Sequence, residues 1–206
     1  MKLLVKPLLR LHGSAQTTPY YHLNGYMLRD WILGYRSPER NGDNPLWKQG
    51  QGPKSGGAFY RWLCRHIAIR AHTILRSDSD RHLHDHPSWS LSIVLEGGYW
   101  EVFEPTPWAI RHEATYRHLL KCIGHGMMNH DDAWDRDFCQ QFGIFWRGPG
   151  AVVFRRANCF HRLILPEGTV ARSIFAMGKK TNAWGFKTPA GKVYWRTYLG
   201  LDKEQA

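Results

Sequence analysis

No run of apolar residues in this 206-residue chain approaches the ~18 that a bilayer-crossing helix needs, so a membrane span is not expected. The opening Met1-Lys2-Leu3-Leu4-Val5-Lys6-Pro7-Leu8-Leu9-Arg10 resembles an export signal only superficially. Lys6, Pro7 and Arg10 interrupt the apolar core, and the expectation is a cytoplasmic protein. Cysteine is scarce as well: Cys64, Cys122, Cys139 and Cys159 have no tight repeated spacing, which argues for free thiols over a disulfide framework. Acidic residues are in deficit, with 17 Asp and Glu against 28 Lys and Arg, a formal charge of +11. Such a balance draws polyanions or small anionic ligands. The charge is scattered over Lys179-Lys180, Arg155-Arg156 and the series Arg61, Arg65, Arg70, Arg76 and Arg81. No nucleic-acid motif accompanies it, so a small anionic substrate or a solvated basic surface is favoured over specific nucleic-acid binding. Internal repeats and low-complexity segments are missing too.

What is present is globular: 43% hydrophobic and 14% aromatic residues, with eleven prolines and twenty glycines spread along the chain. That punctuation favours short strands, and the length favours one domain over residues 1–206. The spacing predicts a short helix within 20–35 ending at Gly34, a loop over 36–57 and one or two strands over 59–75. Leu91 to Phe103 reads as a hairpin bent at Gly97-Gly98. A further strand is expected over 109–120 and an inserted loop over 121–135. Strands return at Phe142–Arg147, Ala151–Arg155, His161–Leu165 and Val170–Met177, and the tail from Trp184 to Tyr198 forms an aromatic turn and strand. The fold class is therefore all-β, an antiparallel jelly-roll barrel. Residues 1–58 form a helical and loop extension, 59–180 the barrel core with an insertion at 104–140, and 181–206 an aromatic seal.

His82-Leu83-His84-Asp85-His86-Pro87 places three imidazoles at alternate positions just before the run Trp89 to Gly98. Side chains at i and i+2 share a strand face, so two of them can point together into a barrel mouth. A third ligand is at hand in Gly148-Pro149-Gly150 to His161, a glycine turn, a β-branched strand, a polar turn and a histidine. Three neutral imidazoles suit late divalent metals and leave coordination positions open to water, substrate or oxygen.

In these two motifs the sequence resembles the cupin superfamily, whose first motif is a His-x-His pair with a spaced Glu and Gly and whose second is a Gly turn, a strand and a His. Counted back from Gly97 and Gly98, the resemblance implies His84, His86 and His161 as metal ligands, with His82 as the alternate in another register. The family's glutamate falls at Ser90 or Leu91, so the resemblance implies a three-histidine site. It is similar in that respect to the thiol dioxygenases, although Ser173 to Gly178 lacks their tyrosine and histidine. In overall look the chain is nearer to uncharacterised bacterial and viral cupin-like proteins with a His-Asp-His-Pro motif. The implied cofactor is one divalent metal, iron first, with zinc, nickel or manganese as alternatives.

Around that site, Arg155 or Arg156 could clamp a substrate carboxylate or phosphate. Trp89 and Tyr99, with Trp100 and Trp146, are candidates to line the pocket. Asp85, between two ligands, should face away from the metal, pairing with Arg81 or capping the turn; a bond to a ligand imidazole is its functional alternative. Two rival constellations are His130-Asp131-Asp132 with His161 and Arg172, a facial triad with an anion-binding arginine, and a structural zinc on Cys122, His125, His130 and Cys139. The expected activity is a metal-dependent oxygenase acting on a small anionic substrate. The alternatives are a non-redox metal hydrolase or isomerase, and an inactive cupin that binds a partner through its basic surface; edge strands could pair into a homodimer.

Overall fold

The structure, a computed structural model, describes residues 2–15, 25–34, 40–41, 44–45, 57–78 and 82–200. In chain order the elements are α1 (Lys2–Ala15), β1 (Met27–Leu33), β2 (Arg40–Asn41), β3 (Asn44–Pro45), α2 (Ala58–His66), β4 (Ala68–Ile74), β5 (Ser90–Glu96), β6 (Tyr99–Val102), α3 (Pro107–Arg111), α4 (Glu113–Gly124), α5 (Ala133–Gln141), β7 (Ile144–Arg147), β8 (Val152–Arg155), β9 (Arg162–Ile164), β10 (Ala171–Met177), β11 (Gly185–Thr188), β12 (Gly191–Tyr194) and α6 (Trp195–Tyr198). A five-stranded sheet runs β1-β4-β10-β5-β8 and a three-stranded sheet runs β7-β6-β9. The larger sheet is antiparallel at every pairing, as is the smaller. Two further antiparallel pairs are β2-β3 and β11-β12.

Two apolar layers decide how the sheets lie. Met27, Ile74, Val94 and Ala171 of the larger sheet pack with Tyr99, Leu163 and Leu165, so these faces look at each other. The opposite face of the smaller sheet, Trp100, Val102, Ile144 and Ile164, is covered by Ala109, Leu119, Ile123, Cys139 and Phe142. Covered on both sides, β6 is buried at every position from Tyr99 to Val102. Helix α1 lies across the outer face of the larger sheet, and His12 Nε2 is 3.1 Å from the His72 carbonyl oxygen. At the β5–β6 corner Gly97 has φ +64°, and a Cβ there would meet the Val170 carbonyl oxygen at 2.0 Å, so only glycine makes this turn.

Among the described residues the two sheets do not join into a closed barrel, and six helices make "all-β" approximate. The helix expected within 20–35 is instead strand β1, because Met27, Arg29 and Trp31 alternate toward the interior and pair with Ile74, His72 and Arg70. The first half of the expected 59–75 strand is α2. The expected strand at 109–120 is helical, and the supposed loop at 121–135 ends one helix and starts another. The signals were local: Thr106 accepts a hydrogen bond from the Ala109 amide (3.1 Å) with Pro107 following it, and Asp132 accepts from the Trp134 amide (2.7 Å). Most of the loop expected at 36–57 lies outside the described residues. The turn at Gly97-Gly98 is present, but the expected hairpin over Leu91–Phe103 is not: β5 pairs with β10 and β8 and β6 with β7 and β9, so the turn carries the chain from one sheet to the other. The later strands appear within a residue or two of their expected bounds.

Candidate metal centre

His84 and His161 sit opposite each other in an antiparallel bridge. The His84 amide donates to the His161 carbonyl (2.8 Å) and the His161 amide returns the bond to His84 (2.9 Å). The two sequence motifs are thus clasped by backbone, and their side chains share one side. His86, two residues on, brings its Nε2 to 2.8 Å from His161 Nε2. One potential ligand nitrogen from each of the three rings lies within 4.8 Å of the others, the one such cluster of His, Cys, Asp or Glu found among the described residues. Ligands about 2.0–2.1 Å from one metal must themselves be about 3 Å apart, a spacing the His86–His161 pair already has.

Burial also favours the neutral form of two of the rings. Burial lowers His161 to about 3, opposed by nearby Glu101 and reinforced by Arg155 and His84. Burial likewise holds His86 well below the ordinary histidine value, with His161, His84 and Arg155 adding to it. Neutral imidazoles keep a lone pair for a metal. The donor set and its convergence fit a divalent ion.

Behind the histidines stand two carboxylates that sequence reasoning missed. Glu101 is fully buried, with Oε1 2.8 Å from His161 Nδ1, although that nitrogen does not reach hydrogen-bond geometry. Arg147 Nε donates to Glu101 Oε2 (2.8 Å), and Arg155 Nε donates to Oε1. Burial alone would raise the Glu101 carboxyl. His161 and the Arg155 guanidinium overturn that and hold it far below the usual carboxylate range. Arg155 is fixed further by donating to Ser92 Oγ (3.0 Å) and Tyr99 Oη (3.4 Å). Asp78, also buried, accepts from Tyr26 Oη (3.2 Å) and the Leu163 amide (3.2 Å), and its Oδ2 is 3.5 Å from His84 Nδ1. A carboxylate behind a ligand imidazole fixes its orientation and raises its basicity. The signal that could have found Glu101 is its solitude: a lone acid in a strand otherwise apolar on both faces has to be paired.

The remaining candidates fall outside this cluster. His82 is exposed, with Nδ1 2.9 Å from Tyr198 Oη. Asp85 faces away from the metal, as expected, and accepts from the Gly185 amide (2.8 Å), Asn182 Nδ2 (2.7 Å) and Lys192 Nζ, tying the β11-β12 hairpin to the first motif. Its expected partner Arg81 lies outside the described residues. Tyr99 and Arg155 are interior. Arg156 is exposed, and Trp89 stacks on Phe154 (6.1 Å). The rival constellations do not assemble: His130 stacks on Trp146 (4.0 Å), Asp132 caps α5 and Arg172 pairs with Glu96. Cys122 instead has its Sγ 3.4 Å from His118 Nε2.

No protein-family model matches the chain, and no curated protein matches its sequence. Solved structures similar to it include cupin-like folds. Among them are a protein of unknown function with a cupin-like fold from Ralstonia eutropha (10% identity, 63% of this chain and 56% of that chain, TM-score 0.35). Another is the DMSP lyase DddQ from Ruegeria pomeroyi (11% identity, 81% and 54%, TM-score 0.40), and a third is Fe(II)-HppE with an alternative substrate (9% identity, 78% and 54%, TM-score 0.38). The chain spans about half the length of each of these three. Among the described residues no helix is long and apolar enough to cross a membrane.

Proposed function

We propose that this protein is a metal-dependent enzyme that holds one divalent ion, iron first, on His84, His86 and His161, and oxidises a small anionic substrate with oxygen in the cytoplasm. The observation that carries the reading is the convergence of three imidazole nitrogens within 4.8 Å, backed by Glu101 and Asp78. When bound, such an ion would supply Lewis acidity and redox chemistry toward oxygen. The chain's own residues supply the rest. Glu101 and Asp78 orient two of the imidazoles. Arg147 and Arg155 keep Glu101 ionised, so it stays a positioning residue and does not take protons from substrate. Phe175 (5.7 Å from the His86 ring), Phe186 (5.9 Å from His84) and Phe103 (6.2 Å from His161) wall the site with apolar surface that limits water.

The test is elemental analysis of protein purified without chelator or affinity tag, beside the His84→Ala, His161→Ala double variant. About one metal per chain, absent in the variant, is expected. Iron would send the protein to oxygen-consumption assays, whereas zinc alone would favour the hydrolytic alternative. No metal as isolated, and none taken up on reconstitution, would overturn the enzyme reading in favour of a binding protein acting through its basic surface.

A further inference from the structure

The two basic doublets of the sequence, Arg155-Arg156 and Lys179-Lys180, meet at one end of the larger sheet. Met177, Ser90 and Arg155 form a row across β10, β5 and β8. One residue beyond it stand Gly178, Trp89 and Arg156, and the Gly178 amide donates to the Trp89 carbonyl (3.2 Å). Lys179 and Lys180 follow Gly178 directly, so cations flank Trp89 from both neighbouring strands. Arg155 turns inward to Glu101, while alternation along β8 turns Val152 and Phe154 outward, with Arg156 exposed just past the strand end. Among the described residues neither Arg156 nor Lys179 has an ion pair or hydrogen bond from its side chain.

The surface between these cations is aromatic. Helix α1 covers the outer face over β1, β4, β10 and β5, yet on β8 Val152 and Phe154 remain 48% and 61% exposed. The Trp89 ring, on a residue 36% exposed, lies 6.1 Å from the Phe154 ring with the two planes 26° apart. Gly178 makes room for it, because a Cβ there would collide with the indole. Neither ring belongs to the metal centre. An apolar ledge of this kind, rimmed by charge of one sign, marks an interaction site.

We propose that the ledge binds single-stranded nucleic acid, with bases stacked on Phe154 and Trp89 and phosphates met by Arg156 and Lys179. Exposed aromatic side chains on neighbouring strands of a sheet give unstacked bases a platform, and a cationic rim follows the backbone. The formal charge of +11 draws the same polyanion. In a duplex the bases already stack on one another, so the rings select a single strand. A second copy of the chain, docked across a two-fold axis, would set the same cations face to face. An acidic protein would satisfy the cations and leave the rings without planar partners. The ledge lies outside the metal centre and does not depend on it.

The experiment is fluorescence anisotropy of a short, end-labelled oligo(dT) with chelator-treated full-length protein at about 50 and about 200 mM salt. Without metal, the result is independent of the proposed enzyme activity. A dissociation constant of about 1–100 μM is expected at the lower salt. Phe154→Ala should weaken binding ~10-fold or more, the loss of one stacked base. Arg156→Gln and Lys179→Gln should each flatten the slope of log affinity against log salt by about 0.7, the share of one phosphate of a single strand. Trp134→Ala, a similarly exposed aromatic on α5, and Lys121→Gln on α4 should leave binding unchanged. If Phe154→Ala misfolds, the two cation variants carry the test. Labelled poly-glutamate binding as tightly as the oligonucleotide would make the ledge a surface for acidic proteins. Binding that a folded Phe154→Ala leaves intact would reduce it to general attraction between charges. Either result, or no binding up to ~100 μM protein at the lower salt, would overturn the proposal.

Discussion

Glu101→Gln is the substitution whose effects follow most directly from the geometry. It preserves shape but removes the negative charge shared by Arg147, Arg155 and the back of His161. Glu101 is fully buried and the Arg155 side chain is 2% exposed, so the guanidinium would lose its counter-charge out of reach of water. Breaking such a buried pair costs about 3–5 kcal/mol. Arg147, whose side chain is 25% exposed, can recruit water and should add little. A domain of this size loses roughly 2–4 °C in melting temperature per kcal/mol, so a drop of about 10 °C is expected in metal-free protein. Metal affinity should fall about 10–100-fold, because His161 loses the group that orients it. Thermal melts and metal titrations read the two effects separately. Adding Arg155→Met to Glu101→Gln should recover much of the stability and none of the metal affinity. If Glu101→Gln melted within ~2 °C of wild type and bound metal as tightly, the argument that this carboxylate holds the centre together would be refuted.

Two further outcomes are expected. Asp85→Ala should cost roughly 2–3 kcal/mol and loosen the β11-β12 hairpin, seen as protease cleavage near residues 182–194, while the metal content stays at wild-type level. Metal-free protein should lose stability as pH falls below about 6.5. His72, His86 and His161 are buried neutral with depressed values, so the unfolded chain takes up the protons first. Three such groups give a slope of up to about 4 kcal/mol per pH unit between 6.5 and the folded values, and denaturant midpoints at pH 7, 6 and 5 that did not move would contradict it.

The histidine triad was legible because its information is local: alternation in His84-Asp85-His86, and a glycine turn leading to His161. The two facing sheets were legible from short strands between glycines and prolines. The helices α3 to α5 were not. Their apolar faces serve the outside of the smaller sheet, so Leu119, Ile123 and Phe142 read as strand or loop until the layer they cover is known. Glu101 was hidden for the opposite reason. Its strand is covered on both faces, which erases the alternation that would have marked it as inward-facing. Strand β1 was lost because its partner β4 lies about forty residues away in a segment that opens with a helix.

The backbone clasp between His84 and His161 has a consequence for how the molecule comes into being. The triad members His86 and His161 are 75 residues apart, and the intervening chain includes the whole of α3, α4 and α5. Closing a loop of that length costs about 4 kcal/mol of chain entropy before any contact is made. The centre therefore cannot pre-exist in a partly folded chain. An ion arriving early would meet only the His84 and His86 half, and full coordination must wait for the distant strand to dock. The same clasp relieves the helices of any duty in setting the positions of His84 and His161, so α3 to α5 can diverge away from the apolar face that covers the smaller sheet while the triad stays in place.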